Sequence, residues 1–193
     1  ASNSVGTVVS GWVYFGIPST QSASFAPANN ATNISIDQQL RLRFPAPPKL
    51  SLSGKVTIHD AADDSVVATI DSSTFQTYRL WSATIPNAAT HTVQGRGYNY
   101  LPIAVYGNEV WITLSNSQRL EYGKTYYVKM DAGVLLDANN AQYPGISDNS
   151  TWRFSTKASG PATPTPTTGP TVITVGLDGT GDFATLQGAS DWI

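Results

Sequence analysis

Leu40-Arg41-Leu42-Arg43-Phe44 alternates strictly between apolar and cationic residues. Successive side chains of a strand point to opposite faces, so this run buries Leu40, Leu42 and Phe44 and leaves Arg41 and Arg43 in water. Pro45, Pro47 and Pro48 end it. Downstream, Val56-Thr-Ile58 and Val66-Val-Ala-Thr-Ile70 flank the turn-like Asp60-Ala-Ala-Asp-Asp64, as the arms of a hairpin would. Val110-Trp-Ile112-Thr-Leu114 alternates again, which puts Trp111 on the outer face. There it either stays open or packs under the N-terminal segment. Tyr126-Tyr-Val128-Lys-Met130 follows the turn Tyr122-Gly-Lys, and Trp152-Arg-Phe154-Ser closes the series. Upstream, Pro27-Ala-Asn-Asn-Ala-Thr is turn chemistry. Short strands, frequent turns and no amphipathic helix predict an all-β unit, an antiparallel β-sandwich.

That unit is bounded on both sides. Residues 1–24 hold one apolar, β-prone run, Val8 to Phe15, which is either an added edge strand or the tail of an earlier module. On the other side lies Lys157-Ala-Ser-Gly-Pro-Ala-Thr-Pro-Thr-Pro-Thr-Thr-Gly-Pro170. Its prolines fix φ and remove backbone donors, so an extended, polyproline-like linker is expected. The division is then 1–24 as an N-terminal segment, 25–156 as the sandwich, 157–170 as the linker and 171–193 as a tail. The tail is too short to fold alone. Either it docks back on the first unit or the chain is a piece of something longer, which the lack of an initiator Met fits.

Composition narrows the function classes. Of 193 residues only 12% are charged, and the formal net charge is −2. No basic footprint suits nucleic acid, and no polybasic patch suits a membrane surface. Without cysteine there is neither a disulfide framework nor a thiolate metal site. Asn30-Ala-Thr32, Asn33-Ile-Ser35 and Asn149-Ser-Thr151 match the glycosylation acceptor pattern. With the Pro/Thr linker they argue for a secreted, extracellular glycoprotein, expected to be a monomer.

Phe25-Ala-Pro-Ala-Asn-Asn-Ala-Thr-Asn-Ile-Ser-Ile-Asp37, Leu40 to Phe44, Leu120-Glu-Tyr-Gly-Lys-Thr-Tyr-Tyr-Val128, Gly133-Val-Leu-Leu-Asp137 and Trp152-Arg-Phe-Ser-Thr156 occur in that order. The series resembles bacterial-type immunoglobulin-like (Ig-like) domains. The resemblance implies that Tyr126 stands at the tyrosine-corner position, two residues before the core residue Val128. Residues 74–107 depart from that pattern as a long insertion containing Tyr78, Trp81, Tyr98, Tyr100 and Tyr106. Its aromatics either form platforms for the apolar C–H faces of sugar rings or cover one open end of the sandwich.

In the tail, Val172-Ile-Thr-Val175 reads as a strand, and Gly176, Gly179 and Gly181 as a tight turn. Leu186, Ala189 and Ile193 then share a helical face, with Asp182 or Thr185 as N-cap. Gly179-Thr-Gly-Asp-Phe-Ala184 matches the dinucleotide fingerprint formally, but Asp182 would set negative charge where pyrophosphate must bind. Asp178 and Asp182 are too few oxygen donors for a calcium loop. Strand, Asp-Gly-x-Gly-Asp-Phe and Thr-Leu-Gln-x-Ala together resemble the opening of pectin methylesterases. That resemblance implies the first strand and capping helix of a right-handed parallel β-helix. It also implies an enzyme that needs no cofactor and hydrolyses methyl esters of polygalacturonate in plant cell-wall pectin. The family's catalytic aspartates, glutamines and arginine lie on later turns of the β-helix, so no residue of this sequence inherits a catalytic role.

Independent motifs agree with that absence. No Gly-x-Ser-x-Gly elbow and no His-Glu-x-x-His occurs, and His59 and His91 are far apart in the chain. Three readings follow. The chain is the accessory N-terminal part of a secreted pectin methylesterase. Or it is a carbohydrate-binding module using Tyr78, Trp81, Tyr98 and Tyr100, with pectin or another wall polysaccharide as partner. Or it is a passive spacer or adhesion domain.

Overall fold

A computed structural model describes residues 23–80, 83–93, 96–115, 118–161 and 172–192. The run Val8 to Phe15 lies outside the described residues. In chain order the strands are β1 (Ser24–Ala26), β2 (Ala31–Ile34), β3 (Leu40–Arg43), β4 (Lys49–Leu50), β5 (Lys55–Asp60), β6 (Val66–Asp71), β7 (Gln76–Leu80), β8 (Ala83–Val93), β9 (Arg96–Tyr100), β10 (Ile103–Tyr106), β11 (Glu109–Ile112), β12 (Thr125–Met130), β13 (Leu135–Leu136) and β14 (Arg153–Thr156). Helix α1 spans Leu186–Trp192. No described helix is long and apolar enough to cross a membrane.

Two sheets carry the core. One runs β1-β3-β11-β10 and the other β2-β14-β12-β5-β6. Leu40, Leu42, Val110 and Ile112 of the first join Val56, Ile58, Tyr126, Val128 and Phe154 of the second in one buried cluster. Alternation along β3 places Leu40 and Leu42 in that core, and Phe44 beyond its end follows them, while Arg43 is exposed. The expected hairpin is present: β5 and β6 pair antiparallel around the Asp60–Asp64 turn, with a register shift at Ile58/His59. Its carboxylates serve the turn itself. Asp60 accepts from the N–H of Ala62, and Asp63 from the N–H and hydroxyl of Ser65.

Two features exceed the period. Strand β2 pairs β14 in parallel, Phe154 opposite Ala31. Tyr127 faces away from the core yet is only 2% exposed. His59 stacks on its ring at 4.8 Å, Lys129 lies 5.4 Å from the ring centroid, and its hydroxyl donates to Asp64.

Tyr126 is buried in the core, where its hydroxyl accepts a hydrogen bond from the N–H of Glu121 at 2.9 Å. That bond ties the chain entering β12 to the strand. Tyr126→Phe removes the acceptor and strands the Glu121 N–H. Stability is expected to fall by about 1 kcal/mol, read from urea-unfolding midpoints.

Trp152 is fully buried, stacked on Phe25 at 5.0 Å, and its indole N–H donates to the carbonyl of Pro27. Residues 74–107 are not loop. They contain β7, β8 and β9, a separate three-stranded sheet, followed by β10. The first residues of the predicted linker are bonded to the folded unit: Lys157 N–H donates to Ile34, and Gly123 N–H to Lys157.

Candidate functional site

Among the described residues a set of long-range polar contacts joins the tail to the loop after β2. Ser35 and Gln38 are buried there, and the Gln38 N–H closes a turn onto the Ser35 carbonyl. The Ser35 hydroxyl lies within donating distance of two tail carbonyls, Gly179 at 3.1 Å and Gly181 at 2.8 Å. The Asp37 carboxylate accepts from the N–H of Ala184, the N–H of Thr185 and the hydroxyl of Thr185, at 2.7, 2.7 and 2.6 Å. Gln38 Nε2 donates to the Leu177 carbonyl. Lys157 Nζ donates to Thr180, and Arg119 forms an ion pair with Asp191.

The tail's own sequence shapes what these groups grip. Gly179 has φ of 83°, a left-handed conformation that closes the turn of its N–H onto Gly176. Thr185, not Asp182, caps the helix, its hydroxyl accepting from the N–H of Gly188 at 2.9 Å. Gly188 is needed for close approach, because a Cβ there would overlap the Asp37 carboxylate. Asp182 instead accepts from the N–H and hydroxyl of Thr174, and Asp178 from those of Thr180. Both carboxylates of the weighed calcium loop are thus occupied within their own turn.

Val172–Val175 does not form the predicted strand. Only an isolated parallel bridge joins Val175 to Phe183. A β-prone run without a neighbouring strand has no ladder to enter. The expected helical face also divides: Ala189 is buried, whereas Leu186 is 79% exposed. Ile193 lies outside the described residues. Phe183, Ala184 and Ala189 are buried by docking but stand outside the main core cluster.

Beside the seam lies a cleft of about 290 Å³, lined by Ile36, Ile112, Leu114, Arg119, Phe183 and Trp192 among others. Phe183 and Trp192 rings are 6.2 Å apart. The carboxylates nearby are already engaged, Asp37 by three donors and Asp191 by Arg119 and Gln187. The cleft can hold an apolar group but offers no free acid/base pair. Gln38 Oε1, at the cleft, and Tyr122 OH, beside Gly160, are buried without a partner among the described residues.

The hydrogen bonds of the tail depress its carboxyl pKa values. Asp191 is lowered chiefly by the Arg119 guanidinium, Asp182 by the Thr174 N–H, and Asp178 by the Thr180 hydroxyl. A depressed folded-state pKa contributes stability that is complete above the unfolded value, about 3.9, and lost as pH falls through the folded one. Tail order, followed by near-UV circular dichroism, is expected to hold from neutral pH to about 5 and to decline below about 4.

Of the four aromatic positions expected to bind sugar, Tyr100 alone has a described side chain. Trp81 lies outside the described residues, as do the side chains of Tyr78 and Tyr98. By backbone register Tyr78 on β7 stands opposite Ile85, and Tyr98 on β9 opposite His91. Six residues of β8 separate those points, about 20 Å at 3.4 Å per residue. Tyr100 is half-buried in a depression with Ile70 and Phe75. Burial raises its pKa, opposed by a hydrogen bond with Ser115. The sequon residues Asn30, Asn33 and Asn149 are all exposed. Ser35, Asp37 and Gln38 escaped sequence reasoning because their partners lie 139 to 148 residues away. The one local signal was polar residues, Ser35 and Asp37, alternating with Ile34 and Ile36.

No protein-family model matches the chain, and no match to it is found among curated proteins.

Proposed function

We propose that this chain is the accessory N-terminal part of a secreted pectin methylesterase. In this reading the two core sheets are an Ig-like sandwich, and the tail opens a right-handed parallel β-helix. The parent enzyme hydrolyses methyl esters of polygalacturonate without a cofactor, and the portion described holds the β-helix entrance in a fixed place. The hydrogen bond to the Tyr126 hydroxyl and the buried Trp152 support the sandwich assignment.

One observation carries the proposal. The tail is docked yet keeps apolar side chains in water: Val172, Leu177 and Leu186 are 83%, 77% and 79% exposed, and Val175 is exposed with them. Among the described residues the other exposed large apolar side chains are Leu52, Val66 and Tyr106, each less exposed than Val172, Leu177 or Leu186. Apolar surface concentrated in so short a segment is expected where a further element packs. The parallel bridge of Val175 to Phe183 has the strand sense that stacked coils use.

Two measurements test the reading. The purified chain is expected to release no methanol from methylated pectin, because in this reading the catalytic residues lie on later turns of the β-helix; turnover would overturn the division of roles. The encoded sequence beyond Ile193 is expected to continue as β-coils carrying paired aspartates. A continuation without them would sink the esterase assignment.

A further inference from the structure

The outer face of the sheet β1-β3-β11-β10 carries a second chemistry. Register places Arg41 beside Trp111 and Trp111 beside Ala104, and in the next row Arg43 beside Glu109 and Glu109 beside Tyr106. The Arg41 guanidinium carbon lies 5.5 Å from the Trp111 ring centroid. Tyr106 meets Trp111 edge-on at 5.3 Å and is itself 57% exposed. The indole N–H of Trp111 donates to Glu109 Oε2 at 3.0 Å, which fixes the ring and occupies that carboxylate. Neither arginine enters an ion pair among the described residues. Small residues, Ser24 and Ala26 at one edge and Ala104 near the other, keep the strip low around this aromatic ridge.

Two unpaired guanidiniums against one engaged carboxylate make the strip cationic on a chain whose net charge is −2. Guanidinium forks fit carboxylates in a bidentate manner, and a sugar ring's C–H face packs on aromatic surface. We propose that this face binds a polyuronate chain, with Arg41 and Arg43 on its carboxylates and Trp111 and Tyr106 under its rings. This deepens the pectin reading and rests on it for the source of the ligand. The site would hold stretches already freed of methyl groups, the product of the esterase rather than its substrate, because an ester presents no charge to the arginines.

The test is calorimetric titration of the full chain with oligogalacturonate, its fully methyl-esterified form, a neutral cello-oligosaccharide and dextran sulfate. The acid form is expected to bind at least tenfold more tightly than the ester, and to weaken as salt screens the arginines. Arg41→Gln with Arg43→Gln is expected to cost at least tenfold. Trp111→Ala should cost a similar factor and Trp111→Phe much less. Arg43 is exposed and Arg41 and Trp111 are partly exposed, and unchanged melting temperatures certify the fold. Equal affinity for acid and ester, equal affinity for dextran sulfate, indifference to the arginine pair, or no binding of oligogalacturonate each overturns the site. None of those results bears on the sequence beyond Ile193, so failure of this face and failure of the esterase reading are separately visible.

Discussion

Trp152→Ala is expected to destabilise the protein by about 3–5 kcal/mol, a large part of what a domain of this size possesses. The indole is fully buried, and its removal opens a cavity between Phe25 and the core. It also leaves the Pro27 carbonyl without its donor. Trp152→Phe separates the two contributions: it retains an aromatic ring for Phe25 but loses the N–H, and should cost clearly less. Urea-unfolding midpoints of both variants give the comparison. A loss below about 1 kcal/mol for the alanine variant would show that the two sheets do not depend on this residue.

The second large effect belongs to the seam. Asp37→Ala removes one carboxylate that accepts three hydrogen bonds from Ala184 and Thr185. Charge-assisted bonds of this kind contribute about 1.5–3 kcal/mol, and the amides left behind are partly buried. The tail is expected to come off the two-sheet core, because what remains is the Ser35 and Gln38 bonds, the exposed Lys157 and Arg119 contacts and a small apolar contact at Phe183. Limited proteolysis should then cut near Phe183 in the variant and spare the parent. Asp37→Asn keeps one acceptor oxygen and should fall between them. The melting temperature of the main core is expected to move little, since Phe183, Ala184 and Ala189 stand outside its cluster. Equal proteolytic resistance in parent and variant would remove Asp37 from its assigned role.

What the sequence disclosed follows from what local physics can encode. Strict alternation at Leu40–Phe44 reported a sheet face, and the structure buries the expected side. The β5–β6 hairpin was legible because its turn is built from Asx bonds within a few residues. Trp111 was correctly placed on the outer face by phase alone, and there it packs with Tyr106, Arg41 and Glu109. Tyr127 could not be read as buried, since its cover, His59, comes from another strand. The parallel pairing of β2 with β14 joins residues more than a hundred positions apart and leaves no periodic trace. Val172–Val175 shows the opposite failure: a strand-like composition without a strand, because composition supplies propensity and not a neighbour.

The most direct check is amide hydrogen exchange across residues 172–192 of the intact chain. Ala184 and Thr185, bonded to Asp37, and Phe183, bonded to Thr174, are expected to exchange far more slowly than an unstructured peptide. Exchange at the free-peptide rate throughout this segment would contradict a tail held against the two-sheet core, and with it the fixed entrance on which the proposed role depends.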